Sequence, residues 1–442
     1  MTLNPPGTVR EIVQQLERAG FEAWCVGGAV RDALLGMDHL DWDIATSARP
    51  EEVRRIFRRT VPLGIEFGTV GVLDKNGVMH EVTTFRRDVE TDGRHARVVF
   101  GVSLEEDLAR RDFTINSVAY SPSRDEIRDP FDGQKDIARG VVKTVGDPDE
   151  RMTEDRLRSL RALRFAARFG FEIDPPTWAS VTRSAPFLQR LSAERIRQEI
   201  EKTMDQVRRP SSAFRLWREC GAFARVIPAL ASSSDLELTY PDFLALPVLK
   251  GRPGRRSNRI TALFLTAGPH RAATAFRDLR FSNSGIAWMA ALVERWSADV
   301  PLLERSLEGG HLPDAGFTRR WIAGVGRMRA ATLLRIAIAV WCARAEAGLP
   351  APPSAMQRAL YGRVLRSAFR DPVDIGDLQI DGDDLHGIGI GAGPIVGRIL
   401  KRLLDLVLDN PALNERATLM RMAQNIARTD GGGDGPPQRR PS

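Results

Sequence analysis

The chain has little cysteine. Cys25, Cys220 and Cys342 are the only three in 442 residues. They lie far apart and form no C-x-x-C pair, so neither a disulfide framework nor a cysteine zinc site is supported. That usage fits a reducing cytosol, and a cytoplasmic location is expected. No run of 18 apolar residues occurs, so no membrane-spanning helix is expected. The segment Met1-Thr2-Leu3-Asn4-Pro5-Pro6-Gly7 has neither a basic n-region nor an apolar core, and no signal peptide is expected. Acidic residues are outnumbered: 57 Asp and Glu face 64 Lys and Arg, a formal charge of +7. A basic surplus favours a polyanionic partner. The rest of the composition, 43% hydrophobic and 27% charged, is that of a globular protein long enough for two or more domains.

What is present changes along the chain. Between residues 8 and 20, Val9, Ile12, Val13 and Leu16 fall on one helical face. Residues 21–100 alternate short apolar runs with glycine-rich turns: Trp24–Val26, Trp42–Ala45, Thr69–Leu73, Met79–Thr84 and Val98–Val102. This predicts a small α/β sheet region. From about residue 150 the pattern is helical, with breaks at Pro175-Pro176, Arg209-Pro210, Pro253-Gly254 and 350–353. The expected fold class is therefore α+β, an α/β head followed by an all-α remainder. Residues 208–260 hold ten Lys and Arg against four Asp and Glu, including Arg252, Arg255, Arg256 and Arg259. That run reads either as a solvated basic loop or as a surface for a phosphate backbone. Residues 430–442, rich in Gly and Pro, are expected to be disordered.

The richest chemistry lies in two short blocks. Trp24-Cys25-Val26-Gly27-Gly28-Ala29-Val30-Arg31-Asp32 runs from an apolar strand through a Gly-Gly turn into a helix. Leu40-Asp41-Trp42-Asp43-Ile44-Ala45-Thr46 follows. Side chains at i and i+2 of a strand share a face, so Asp41 and Asp43 can hold divalent ions while Trp42 and Ile44 pack the other way. A Gly-Gly turn opening a helix offers bare backbone N–H groups to an anion. Together they suggest metal-assisted chemistry on a nucleoside triphosphate.

Later blocks add polar groups. Glu81 lies in the strand-like His80-Glu81-Val82-Thr83-Thr84-Phe85-Arg86 and, alone, fits an exposed strand carboxylate. Residues 86–97 are polar and fit a hairpin loop. Arg110-Arg111-Asp112-Phe113-Thr114-Ile115-Asn116 alone fits a surface ion-pair cluster. Glu154-Asp155-Arg156-Leu157-Arg158-Ser159-Leu160-Arg161-Ala162-Leu163-Arg164-Phe165 reads as one helix, with Asp155 and Arg158 as i,i+3 neighbours. Such a pair fits either a helix-surface ion pair beside a basic stripe or base reading, and the second accounts better for the residue types. A carboxylate accepts from the exocyclic amino group of cytosine or adenine. An arginine donates to the adjacent ring nitrogen. Uracil and guanine present a carbonyl and a ring N–H instead and would be refused. Ser192 is a good N-cap for the helix through Lys202, which reads as structural.

These blocks resemble those of the class II tRNA nucleotidyltransferases, the CCA-adding enzymes and bacterial poly(A) polymerases of the polymerase β superfamily. The resemblance is tight over residues 20–205 and looser at Gly387-Ile388-Gly389-Ile390 and Gly393–Leu400. It implies a polymerase-β-like head over 1–145, a helical neck over 146–210, an RNA-binding body over 211–330 and a tRNA-binding tail over 331–429. It implies Asp41 and Asp43 as metal ligands for Mg²⁺, with Glu81 as a third acidic group. It implies Gly28, Arg31, Arg111, Asp112, Asp155, Arg158, Arg161 and Arg164 as nucleotide-binding residues. In that scheme Asp112 accepts from the ribose 2′-hydroxyl, Arg111 supports the triphosphate, and Arg161 and Arg164 hold phosphates. Asp155 and Arg158 read the base, and the loop around Arg94 takes part in nucleotide switching. CTP and ATP are the implied substrates, and the acceptor stem and elbow of tRNA the implied partner. Phe67-Gly68-Thr69-Val70 stands where many relatives carry His-Gly-Thr-Val. The poly(A) polymerase signature Gly-Arg-Arg-Phe is missing from Leu63–Thr69, which favours CCA addition. No histidine precedes an aspartate, so no His-Asp phosphohydrolase domain is expected. Enzymes adding only A or only CC share the same motifs. A catalytically inactive RNA-binding protein and a small-molecule nucleotidyltransferase are the readings from other classes.

Overall fold

The structure, a computed structural model, describes residues 3–37, 41–91, 96–245, 254–391 and 393–430. Leu40, Arg94 and Arg252 lie outside the described residues, as does the expected disordered segment apart from Asp430, which ends a helix. The chain divides into two compact units at Ser232, the first also taking in Asp278–Arg280.

The first unit begins with α1 (Gly7–Arg18), which buries the expected stripe of Val9, Ile12, Val13 and Leu16. β1 (Ala23–Val26) leads through Gly27 into α2 (Gly28–Leu34). β2 (Asp43–Thr46), α3 (Pro50–Ile56), β3 (Thr60–Pro62), β4 (Thr69–Leu73) and β5 (Met79–Thr84) follow. Next come β6 (Arg86–Thr91), β7 (Ala96–Phe100), α4 (Leu104–Ala109), β8 (Ala119–Ser121) and β9 (Glu126–Arg128). Seven strands form one sheet in the order β3-β4-β5-β2-β1-β8-β9. β2 and β5 are parallel, while the other neighbouring strands are antiparallel.

Strand alternation divides the sheet into two faces. Cys25, Ile44, Val70, Val72, Val82 and Tyr120 pack with residues of α1, α2 and α3 on one face. Trp24, Val26, Ala45 and Phe85 pack with Leu104 and Leu108 of α4 on the other. Trp42 is also in the first cluster, so it and Ile44 do turn away from the Asp43 face. The described residues of the polar segment 86–97, read as a hairpin loop, lie in paired strands. Arg86–Thr91 pairs antiparallel with Ala96–Phe100 in a separate hairpin.

The helical part continues with α5 (Gly133–Arg139), β10 (Val141–Val142), α6 (Pro148–Glu154), α7 (Leu157–Phe169), β11 (Glu172–Ile173), α8 (Pro175–Ser184), α9 (Ala193–Gln206) and α10 (Pro210–Glu219). Prolines occupy first turns of α6, α8 and α10, where the missing N–H costs nothing. Three expected boundaries meet continuous or paired elements. β10 pairs in parallel with β11 across the expected seam at 145/146. The boundary at 210/211 falls inside α10. The one at 330/331 falls inside the helix Arg327–Glu346. That helix gives Leu333, Leu334, Ile336 and Trp341 to a single core running from Tyr240 to Ile426 in the second unit. Arg259 corrects the basic run. It is fully buried and donates to the Pro241 carbonyl at 3.1 Å, so it ties helix Gly254–Leu263 inward and presents no charge to a phosphate.

Gly133 packs tightly against the turn that follows Asp112. A Cβ there would lie 2.2 Å from the Thr114 carbonyl oxygen and 2.7 Å from Val118 Cγ2. Overpacking costs about 1–3 kcal/mol, and a backbone oxygen yields less than a side chain. Gly133→Ala is therefore expected to lower the thermal midpoint by several degrees, measured by calorimetry, with the loss traced to the first unit.

Candidate active site

One row of positions crosses the sheet. β1 pairs Val26 with Asp43, and β4 pairs Gly71 with Glu81. β2 pairs Ile44 with Val82, so one step back in that parallel register sets Asp43 beside Glu81. Ile44 and Val82 are both in the α1–α3 core, which turns Asp43 and Glu81 to the opposite face. Asp41 is exposed and lies just before β2, so the expected strand pair spans the strand end. Among the described residues, no three His, Cys, Asp or Glu side chains gather as a ready metal cage. Two carboxylates still fit Mg²⁺, which is commonly bound by one or two carboxylates and completed by substrate phosphates and water.

Gly27 closes the other end of the row. Its φ of +77° is a left-handed conformation that glycine adopts without strain. A Cβ on it would sit 3.1 Å from Arg111 Nη1 and 3.6 Å from Asp43 Oδ2. The backbone thus comes close to both a metal-side carboxylate and a guanidinium. Gly28 is the first residue of α2, but Gly27 makes the turn. Arg111 donates through Nη2 to Asp107 at 3.2 Å, and its buried Nε has no hydrogen-bond partner. Asp107 also accepts from Arg110 Nε at 3.0 Å and Nη2 at 2.8 Å. Burial raises the Asp107 pKa, but Arg110 and Arg111 outweigh it and hold the carboxyl below its ordinary value. Cys25, behind Asp43, is pushed up to about 12 by burial and then by the Asp43 charge, and so remains a thiol.

Asp112 is buried, and both of its oxygens are engaged. Oδ1 accepts from Phe113 N at 2.9 Å and Asn116 Nδ2 at 2.8 Å. Oδ2 accepts from Arg161 Nε at 2.6 Å. Burial alone would raise its pKa. The charges and hydrogen bonds of Arg161, with Asn116, hold it down to about 2.

Two arginines expected among the nucleotide-binding residues, Arg31 and Arg164, pair within the protein. Arg31 is 3% exposed and donates through Nε and Nη2 to Asp32 at 2.8 and 2.6 Å, and through Nη1 to Asn116. Its guanidinium lies over Phe165 and Phe169, at 5.0 and 4.7 Å from the ring centres. Arg164 is also 3% exposed and joins Glu199 at 2.7 Å and Gln206 at 2.9 Å on α9. Burial lowers the pKa of both arginines, while their acidic partners oppose that shift. Helix rotation explains the difference: three-residue steps send Arg158, Arg161 and Arg164 to three different partners. These two side chains brace the fold, and Arg161 alone of the three meets Asp112.

The base-reading block is not one helix. α6 stops at Glu154, and Asp155 takes an extended conformation with φ −149° and ψ 104°. Asp155 Oδ1 accepts from Leu157 N at 3.0 Å, opening α7. Its Oδ2 accepts from Arg195 Nη2 at 2.7 Å. Arg158 donates to Glu154 at 2.7 Å and to the Arg151 and Arg110 carbonyls at 3.2 and 3.0 Å. Asp155 and Arg158 therefore lie close along the chain, each with another protein partner. Ser192 caps α9 through Arg195 N, as its sequence suggests. The sequence reading did not assign Asp107, Asn116 or Arg195 as contributors, and took Gly27 only as part of the Gly-Gly turn. Only Asp107 carried a spacing signal, three and four residues before Arg110 and Arg111.

The fold and this row define a nucleotidyltransferase head. The Poly A polymerase head domain family matches residues 23–143, and the family described as the probable RNA and SrmB-binding site of polymerase A matches 170–233. A CCA-adding enzyme of Limosilactobacillus fermentum is 34% identical over 424 residues, covering 94% of this chain and 96% of that protein. The Geobacillus stearothermophilus CCA-adding enzyme is 34% identical over 426 residues, covering 92% and 93%. The crystal structure of the Bacillus stearothermophilus CCA-adding enzyme in complex with CTP superposes with a TM-score of 0.75 and 32% identity, covering 97% of this chain and 98% of that one. This chain belongs to the CCA-adding enzymes, which are tRNA nucleotidyltransferases. No described helix is long and apolar enough to cross a membrane.

The Asp112 pairing has a pH signature. Its folded pKa of about 2 lies below the ordinary aspartate value of about 3.9. Ionised Asp112 therefore stabilises the fold above about pH 4, and that contribution is lost as pH falls towards about 2. Asp112→Asn should flatten stability against pH across this window. Arg161→Met should raise the Asp112 midpoint, read by carboxyl-carbon NMR titration.

Proposed function

We propose that the chain builds or repairs the 3′-terminal CCA of tRNA from CTP and ATP, releasing diphosphate. The observation that supports this best is the row Gly27–Asp43–Glu81, with Arg111 against the glycine, in a chain related along nearly its whole length to CCA-adding enzymes. The Bacillus stearothermophilus relative was solved with CTP bound. Asp41 and Asp43 would hold Mg²⁺, which supplies activation of the RNA 3′-hydroxyl and neutralises charge on the departing diphosphate. Glu81 adds negative charge beside Asp43. Arg111, oriented by Asp107, offers its guanidinium to the triphosphate beside Gly27. Asp112 serves the ribose 2′-hydroxyl, and a deoxy sugar leaves that acceptor without its partner. Asn116 and Arg161 position Asp112, with Arg31 supporting Asn116 from behind.

Base choice falls to Asp155 and Arg158. Arg195 holds Asp155 in place, and Glu154 holds Arg158 until a base takes over part of each contact. C and A present the same amino-donor and ring-acceptor edge to this pair. A single head with a single pair must choose between C and A by changing its pocket as the 3′ end grows. The helical second unit, with charge spread over many arginines, would bind tRNA through phosphates and shape.

The test is extension of tRNA ending at its discriminator base, with Mg²⁺ and separately labelled nucleotides. Addition of C, C and A followed by arrest is expected. Asp43→Ala should abolish both C and A incorporation while leaving tRNA affinity within about twofold, because metal ligation serves chemistry rather than RNA grip. Long A tails on unrelated RNA with no use of CTP would replace this reading with a poly(A) polymerase. Incorporation of only A or only CC would narrow it.

Arg195 gives a separate check on base reading. A hydrogen bond to a charged group is worth about 1.5–3 kcal/mol. Arg195→Ala should therefore lower kcat/KM for CTP and ATP alike by roughly tenfold or more and relax discrimination against UTP. Loss confined to ATP would show separate reading sites for the two bases.

A further inference from the structure

We propose that the 3′-terminal nucleotide of the RNA being extended seats on an apolar shelf made by Leu63 and Met79 over Gly71, on the β4 side of Glu81. The inference rests on the nucleotidyl-transfer reading above and adds the acceptor-end subsite to it.

The order of groups across the sheet carries the argument. Gly27 and Arg111 lie at the β1 end of the row, where the triphosphate is expected. Asp43 follows on β2, then Glu81 on β5, then Gly71 on β4. In phosphoryl transfer the attacking and leaving oxygens stand roughly in line with the reacting phosphorus. With the departing diphosphate on the Gly27 side of Asp43, the attacking 3′-hydroxyl must arrive from the Glu81 side. The nucleotide carrying that hydroxyl then lies over Gly71 and its neighbours.

The side chains there suit such a guest. Met79 lies two residues before Glu81 on β5 and so shares its face. A Cβ on Gly71 would be 2.9 Å from Met79 Sδ and 3.0 Å from Leu63 Cδ1, so both side chains lie close across the bare glycine. Gly71 itself is buried, yet Met79 is 40% exposed and Leu63 38% exposed. A single exposed apolar residue is ordinary. Two that converge over a glycine beside a carboxylate row form an uncharged apolar patch next to Glu81. A thioether is well suited to an aromatic ring face, with a contact worth about 0.3–1.5 kcal/mol. Neither side chain offers a hydrogen-bond donor or a strong acceptor, so the shelf does not read base identity. That property suits an acceptor whose terminal base changes with each addition, leaving base choice to Asp155 and Arg158 on the incoming nucleotide.

The test compares wild type with Leu63→Ser/Met79→Ser on tRNA ending at the discriminator base and on tRNA ending in CC. Both positions are exposed, so the thermal midpoint should stay near that of wild type, and Met79→Leu should behave as wild type. The double variant is expected to raise KM for both tRNAs roughly tenfold, the scale of two lost apolar contacts, with KM for CTP and ATP unchanged. In parallel, tRNA carrying 4-thiouridine as its terminal base should crosslink on irradiation to the peptide containing Met79, and far less in the double variant. An unchanged tRNA KM with crosslinks confined to the neck helices overturns the shelf while wild-type extension upholds the transfer reading. Wild-type protein that fails to extend tRNA overturns both.

Discussion

The ion pair between Arg161 and Asp112 is the contact on which the site depends. It joins the turn after α4 to the helix α7 at 2.6 Å. From Asp112 the chain of bonds runs to Asn116, from Asn116 to Arg31, from Arg31 to Asp32, and back to α7 through Arg168 at 2.8 Å from Asp32. The loop of charges thus begins and ends on the same helix. Phe165 and Phe169 stack on one another and receive the Arg31 guanidinium. Breaking one member of a buried pair costs about 3–5 kcal/mol because its partner is left charged and unsolvated. Such a network fixes Asp112 relative to Arg111 and to the sheet.

A second arrangement follows from the substrate's charge. Several arginines around the site have an acidic companion: Arg110 and Arg111 with Asp107, Arg158 with Glu154, Arg195 with Asp155 and Arg161 with Asp112. Unpaired, so many cations close together would repel one another and pay heavily for burial. Paired, they are held in fixed positions. The proposed nucleotide contacts exchange some of these bonds for bonds of the same polarity. Selectivity then comes from how well a base reproduces the donors and acceptors it replaces.

Much of the fold was legible because it rests on local periodicity. The stripe of α1, the strands Thr69–Leu73 and Met79–Thr84, and the cap at Ser192 all follow from residues close together in the chain. The short strands β3, β8 and β9 have three residues each, too few to show a period. The helix expected through Asp155 failed for a local reason as well: an aspartate side chain can satisfy the backbone N–H two residues on and open a new helix, and here it does so at Leu157. The polar segment 86–97 reads as a hairpin loop, but its polarity did not reveal how far the pairing runs, since cross-strand backbone pairing does not require an apolar face.

By itself the sequence determined which chemical groups this protein has and their order: a Gly-Gly turn, two aspartates two residues apart, an Arg-Arg-Asp triplet and a Glu-Asp-x-x-Arg block. Those spacings are local, and local spacing is set by the geometry of one strand or one helix. Which guanidinium meets which carboxylate was decided only by tertiary structure. Arg31 and Arg164 resemble Arg111 and Arg161 in sequence context, yet packing buries the first pair among Asp32, Asn116 and Glu199. The second pair is left against Gly27 and Asp112. The reason is physical. An arginine reaches several partners on its long stem, and the choice among them depends on which helices and strands the hydrophobic cores have already brought side by side.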